Sequence, residues 1–82
     1  MVPGPLKAAL RELRLVRSTS PADAADPCDV AEWREAMAEA LDGLALVLLF
    51  EADRGAARAG AEAARAEAGR LRAGCKSHRQ DP

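Results

Sequence analysis

Cys75 and His78 stand three positions apart in Cys75-Lys76-Ser77-His78, a spacing that supplies two donors of a tetrahedral zinc site. A structural site needs four ligands, and the chain adds only Cys28, far away in sequence. The pattern reads as a polar tail, and neither a metal nor any other cofactor is expected. The two cysteines form a bridge only if their Cα atoms come within about 7 Å. One continuous helix would hold them roughly 70 Å apart, whereas a helix bent back on itself would make them neighbours, because the midpoint between them falls at residues 51 to 52.

Catalytic groups are scarce. The single histidine lies in the tail, and Ser18, Thr19, Ser20 and Ser77 lie in linker or tail without a base beside them. Glu32, Glu35, Glu39 and Asp42 have the spacing of a solvated helix face, and the glycines are scattered rather than gathered into a phosphate loop. An enzyme is not expected.

Arg58, Arg65 and Arg72 recur every seven residues and are possible phosphate contacts, with Arg70, Lys76 and Arg79 nearby and a second basic set at Lys7, Arg11, Arg14 and Arg17. A pI near 5.8 and the lack of a base-reading motif make nucleic-acid binding the second reading. The bland alternative pairs Glu62 with Arg65 and Glu67 with Arg70 along the helix. Charge is segregated: residues 1–21 carry +3, 22–53 carry -8 and 54–82 carry +4, which together give the net -1. Opposite blocks favour pairing, within one chain or between two.

The elements that would hold these groups are helical. Residues 1–17 contain a short amphipathic helix from about Pro5 to Arg17, with Leu6, Ala9, Leu10, Leu13 and Val16 on one face and Lys7, Arg11 and Arg14 on the other. Residues 18–26 form a capped linker. It holds two start signals, Ser20-Pro21-Ala22-Asp23 and Asp26-Pro27-Cys28-Asp29, and the second directly precedes an apolar period.

From Pro27 a long helix is expected through Gly74, followed by a flexible tail over 75–82. Val30, Trp33, Met37, Ala40, Leu44 and Val47 repeat at 3,4 spacing, and a second seam runs through Ala52, Ala56, Ala59, Ala63, Ala66 and Ala73 within an alanine and arginine heptad repeat. The shift between seams, the change of charge and Gly55 favour a bend near Asp53 to Gly55. The absence of proline or a turn sequence favours one continuous helix, which is the preferred reading.

The fold class is therefore all-α: a short N-terminal amphipathic helix, a linker, then one long or hairpin-bent, Ala-rich, coiled-coil-like helix. Within it, Leu41 to Phe50 ends in seven consecutive apolar residues. A run apolar on every side must be covered on every side. Eighty-two residues with only fifteen Leu, Val, Ile or Phe are poorly equipped to do so alone. Val30, Trp33, Met37, Leu41, Leu44, Val47, Leu48 and Phe50 are the candidate interface, with Trp33 as its aromatic anchor. The expected partner is a second copy or another helical protein, nucleic acid ranks lower, and no membrane is expected since the run falls short of the roughly 20 residues that span one.

The function this suggests is a non-enzymatic helical interaction protein: a self-associating scaffold, adaptor or regulatory partner. Ten arginines against two lysines and twenty alanines indicate a GC-rich bacterial origin. Charges spread through the first twenty residues leave no signal-peptide core and point to a cytoplasmic chain, where thiols stay reduced.

Overall fold

The computed structural model describes residues 4–22 and 25–79, and side chains as far as Cys75. The chain forms three helices, α1 (Gly4–Ser18), α2 (Pro27–Val47) and α3 (Glu51–Arg79). No strand occurs among the described residues. Ser77, His78 and the side chains of Lys76 and Arg79, including half of the Cys-x-x-His pattern, lie outside the described side chains, as does Asp23 of the first start signal.

The single element expected over 27–74 is two helices. Leu48 leaves α2 with extended backbone (φ -77°, ψ 144°), and three residues later α3 begins and runs back along α2 through Gly74 to Arg79, into the segment expected as a tail. The buried α2–α3 contact and the Cys28–Cys75 bridge outweigh the local preference to stay helical, a common victory of tertiary contacts over propensity, while the acidic and basic segments set the register. Gly55 lies inside α3 and has no neighbour within 4 Å of where a Cβ would stand, so it neither turns the chain nor admits a close approach. The break falls at 48–50, just upstream of the centre of the pairing: Cys28 with Cys75, Leu41 beside Gly60, Asp42 with Arg65 and Glu35 with Arg72 have midpoints between residues 50 and 54.

α2 is the middle element, touching α1 on one side and α3 on the other, while α1 and α3 do not meet. Its start follows the second signal in the sequence. The Asp26 carboxylate accepts the Cys28 N–H at 2.8 Å, Pro27 occupies the first turn, and Asp29 adds a negative charge beside the positive end of the helix dipole.

α1 is held at its C-terminal end. The Trp33 Nε1–H donates to the Val16 carbonyl at 2.8 Å, in the last turn, where helical N–H partners run out. The same oxygen accepts Thr19 N–H at 3.1 Å and the Thr19 hydroxyl at 2.8 Å, and the Ser18 hydroxyl donates to the Leu15 carbonyl at 2.7 Å. Leu13 is the buried residue of α1, with Leu6, Ala9 and Val16 half-buried; Leu10, expected on the same face, is exposed, as is Leu15.

The α2–α3 contact is made of small residues. Ala31, Ala38 and Ala45 of α2 and Ala57, Ala61, Ala64 and Ala68 of α3 are buried, with Met37 and Leu41 packed against the Ala38, Ala61 and Ala64 cluster. A Cβ on Gly60 would stand 3.2 Å from Leu41 Cδ1, so glycine gives the leucine its room. Alanine burial removes little apolar area per residue, at about 25 cal/mol per Å². The molecule measures 50 × 24 × 21 Å, and among the described residues no large side chain is fully buried.

The alanine seam expected through Ala52, Ala56, Ala59, Ala63, Ala66 and Ala73 is solvent-exposed, which corrects that assignment. Alanine recurs on nearly every face of α3, so alanine periodicity alone selects no face. The buried face is the one that also holds half-buried Leu71 and Cys75 and sets Arg65 and Arg72 against carboxylates of α2.

Candidate interaction surface

The two ends of the α2–α3 pair differ in chemistry. At the open end, Cys28 in the first turn of α2 is disulfide-bonded to Cys75 near the end of α3, with Cα atoms 5.4 Å apart. Next along the pair, Arg72 grips Glu35 with both guanidinium nitrogens, one contact measuring 2.9 Å, and two turns further Arg65 donates to Asp42. The guanidinium beside it holds the Glu35 carboxyl below its ordinary value, and the two arginines are pushed further up by their carboxylate partners. All four side chains remain substantially exposed, so their attraction is screened and fixes register more than it adds stability.

Glu35, Asp42, Arg65 and Arg72 are thus not a merely solvated face. Arg65 pairs across to Asp42 instead of along the helix to Glu62, while Glu67 does pair with Arg70. Of the possible phosphate contacts Arg58, Arg65 and Arg72, two are occupied by carboxylates, and Arg58 is exposed.

At the closed end, the connection Leu48-Leu49-Phe50 and the last turn of α2 present apolar side chains to solvent: Leu46 is 82 % exposed, Leu49 79 % and Phe50 69 %. Around them, Glu51 pairs with Arg54 at 2.6 Å. Three large apolar side chains clustered at one tip are unlike the scattered single exposures normal on protein surfaces.

Most of the interface proposed from sequence is engaged within the chain. Val30, Trp33, Met37, Leu41, Leu44, Val47 and Leu48 are half-buried, and only Phe50 of that set is exposed. Leu46 and Leu49 complete the exposed cluster, and the 3,4 spacing of α2 passes them by. Their signal lay in the run being apolar on all sides, which left some of it uncovered whichever face α2 buried.

A groove of about 300 Å³ lies between α2 and α3, lined by Arg34, Met37 and Leu41 of α2 and by Gly60, Ala63 and Arg70 among residues of α3. Arg34 also lies over the Trp33 ring, 4.9 Å from its centre. Among the described residues no group of three or more His, Cys, Asp or Glu is placed to hold a metal ion, and no helix is long and apolar enough to cross a membrane. Comparison with known protein families, with curated proteins and with solved structures finds no match for this chain.

Proposed function

We propose that this chain is a non-enzymatic helical interaction protein that works by self-association, as a scaffold, adaptor or regulatory partner. The observation that carries the reading is the cluster of Leu46, Leu49 and Phe50, all exposed at one tip of the α2–α3 pair. Covering three such side chains is worth several kcal/mol at about 1.5–3 kcal/mol each, enough to favour association if the rest of the contact is not repulsive. The bolted open end supports it too, since a rigid pair of helices presents its tip without a large ordering cost. A second copy is the expected partner, and another helical protein the alternative.

The disulfide bears on where this happens. A cytoplasmic location fits reduced thiols, whereas a Cys28–Cys75 bridge persists in oxidising surroundings. The reading therefore extends to compartments that keep the bridge formed. Nucleic-acid binding through Arg58, Arg65 and Arg72 remains second, because two of these would have to exchange a carboxylate for a phosphate.

Sedimentation across a wide concentration range, with circular dichroism alongside, tests the reading. A concentration-dependent dimer is expected, and the double substitution Leu46→Glu, Phe50→Glu should return it to monomer with helicity unchanged. A wild-type chain that stays monomeric throughout refutes self-association. Steep weakening of binding to a nucleic-acid duplex between low and moderate salt would support the second reading instead.

A further inference from the structure

The tip is a poor turn, and its exposed residues stand where a helix seam would pass. Short helical connections are ordinarily built with glycine, proline, asparagine or aspartate. Here the connection is Leu48-Leu49-Phe50, no residue among those described has positive φ, and neither residue flanking the break offers a capping side chain. Breaking the helix leaves N–H groups at the start of α3 and carbonyls at the end of α2 without helical partners.

Continuing α2 at 100° per residue into α3 gives the missing explanation for the exposure. Asp42, Leu46, Phe50, Asp53, Ala57, Ala61, Ala64 and Ala68 then follow one another at spacings of four or three, and Leu49 follows Asp42 by seven. The exposed side chains fill the gap between the face of α2 that meets α3 and the face of α3 that meets α2.

We infer that two copies of this chain form a domain-swapped dimer, in which residues 48–50 become helical, α2 and α3 join into one helix of about 80 Å, and each α3 lies on the α2 of the other copy. The inference rests on the self-association proposed above, with exchange of α3 in place of the docking of two intact, bolted pairs. Because the bridge and the two ion pairs between α2 and α3 are antiparallel and centred between residues 51 and 54, a two-fold axis near there sets the same partners opposite one another between copies: Cys28 with Cys75, Glu35 with Arg72, Asp42 with Arg65.

The exchange costs the entropy of bringing two chains together and a twist along the joined helix, because Ala38 and Ala61 stand about 140° apart at 100° per residue, and two things are gained. The helix hydrogen bonds across 48–50 are restored, and Leu46, Leu49 and Phe50 of the two copies cover one another at the crossing. The opposite charges of residues 22–53 and 54–82 favour this head-to-tail arrangement over a parallel one. Glu51 approaches its counterpart at the crossing but carries Arg54 with it. α1 docks on α2 away from α3, so it does not obstruct the exchange.

The interchain bridge is the readout. Reduced chains, one unlabelled and one nitrogen-15 labelled, are mixed unfolded and refolded at high concentration with the glutathione couple. Each Cys28–Cys75 bond forms as two thiols give up two protons and two electrons, and glutathione disulfide takes them and leaves as two thiols. Tryptic peptides from the dimer fraction are then weighed without reduction. About half of the Cys28–Cys75 peptide pairs should carry one light and one heavy member, as random pairing of swapped chains requires.

A dimer fraction holding only light–light and heavy–heavy pairs overturns the swap while leaving self-association intact, since tips could dock side by side. A chain that remains monomeric overturns both. Inserting three glycines between Leu49 and Phe50 should abolish the mixed pairs while circular dichroism still reports native helix content; mixed pairs that survive the insertion at the same level contradict straightening at 48–50.

Discussion

The open and closed ends of the α2–α3 pair are built on opposite principles. The open end is fastened by a covalent bridge, a bidentate ion pair, an aspartate cap and, through Trp33, the docked end of α1. The closed end has chain continuity and the buried alanines Ala45 and Ala57, and leaves Leu46, Leu49 and Phe50 in water. A hairpin stable through its own turn would show the reverse, with a shaped loop and loose ends. The fastening thus does what the turn chemistry does not, and the tip is left free to act as a contact.

Breaking the bridge is the most severe way to test that contrast. The two cysteines are 47 residues apart, and closing a loop of that size restricts the unfolded chain by about 4 kcal/mol in the chain-entropy account. For a small domain whose α2–α3 contact is mostly alanine, this is a large share of a total stability of about 5–15 kcal/mol or less. Cys28→Ser with Cys75→Ser, or reductant alone, should lower the melting midpoint by more than any single substitution at the tip. Equal melting curves with and without reductant would show that the alanine contact holds the pair unaided.

A milder comparison sets one aromatic residue at each end against the other. Trp33→Phe removes the bond to the Val16 carbonyl, worth about 1 kcal/mol. That carbonyl keeps its Thr19 partners, so no orphaned acceptor adds to the cost. A domain of this size should lose roughly 4–8 °C in Tm per kcal/mol. Phe50→Leu, at a position 69 % exposed, should leave the melting of the dilute protein within about 0.5 kcal/mol of wild type. If Phe50→Leu proved as costly as Trp33→Phe, the tip would be structural rather than free.

The helical elements were readable because capping chemistry is local. Asp26-Pro27 with Asp29 announces the start of α2, and the leucines of α1 announce its inner face, though Leu10 and Leu15 show that one short helix does not cover all of them. The chain reversal was readable only as the less favoured alternative, a bend near Asp53 to Gly55 drawn from the seam shift and the change of charge, and its place was not. That place depends on Glu35, Asp42, Arg65 and Arg72 finding one another across the pair, and no residue at 48–50 signals a turn. The inner face of α3 was hidden by composition, since alanine occupies both the buried positions and the exposed ones, and only Leu71 and Cys75 distinguish them. The exposed tip follows from the same logic: a run apolar on all sides announces an excess, while only the reversal decides which members of the run are left out.

The smallest expected effect concerns charge at the fastened end. Arg72 holds the Glu35 carboxyl below its ordinary value of 4.5, so the folded state favours the ionised form. The contribution of this pair is complete above that ordinary value and is lost as the pH falls from it through the lower value of the folded protein. Arg72 shifts upward from a value already far above neutrality and stays charged throughout. Thermal melts at stepped pH should therefore be flat near neutrality and decline in the acid range, and Glu35→Gln should reduce the steepness of that decline. Because both side chains are more than two-fifths exposed, added salt should shrink the difference between the two proteins. A decline of the same steepness in Glu35→Gln would move the acid sensitivity to other carboxylates, and the open end would then owe its hold to the bridge and the docked tryptophan alone.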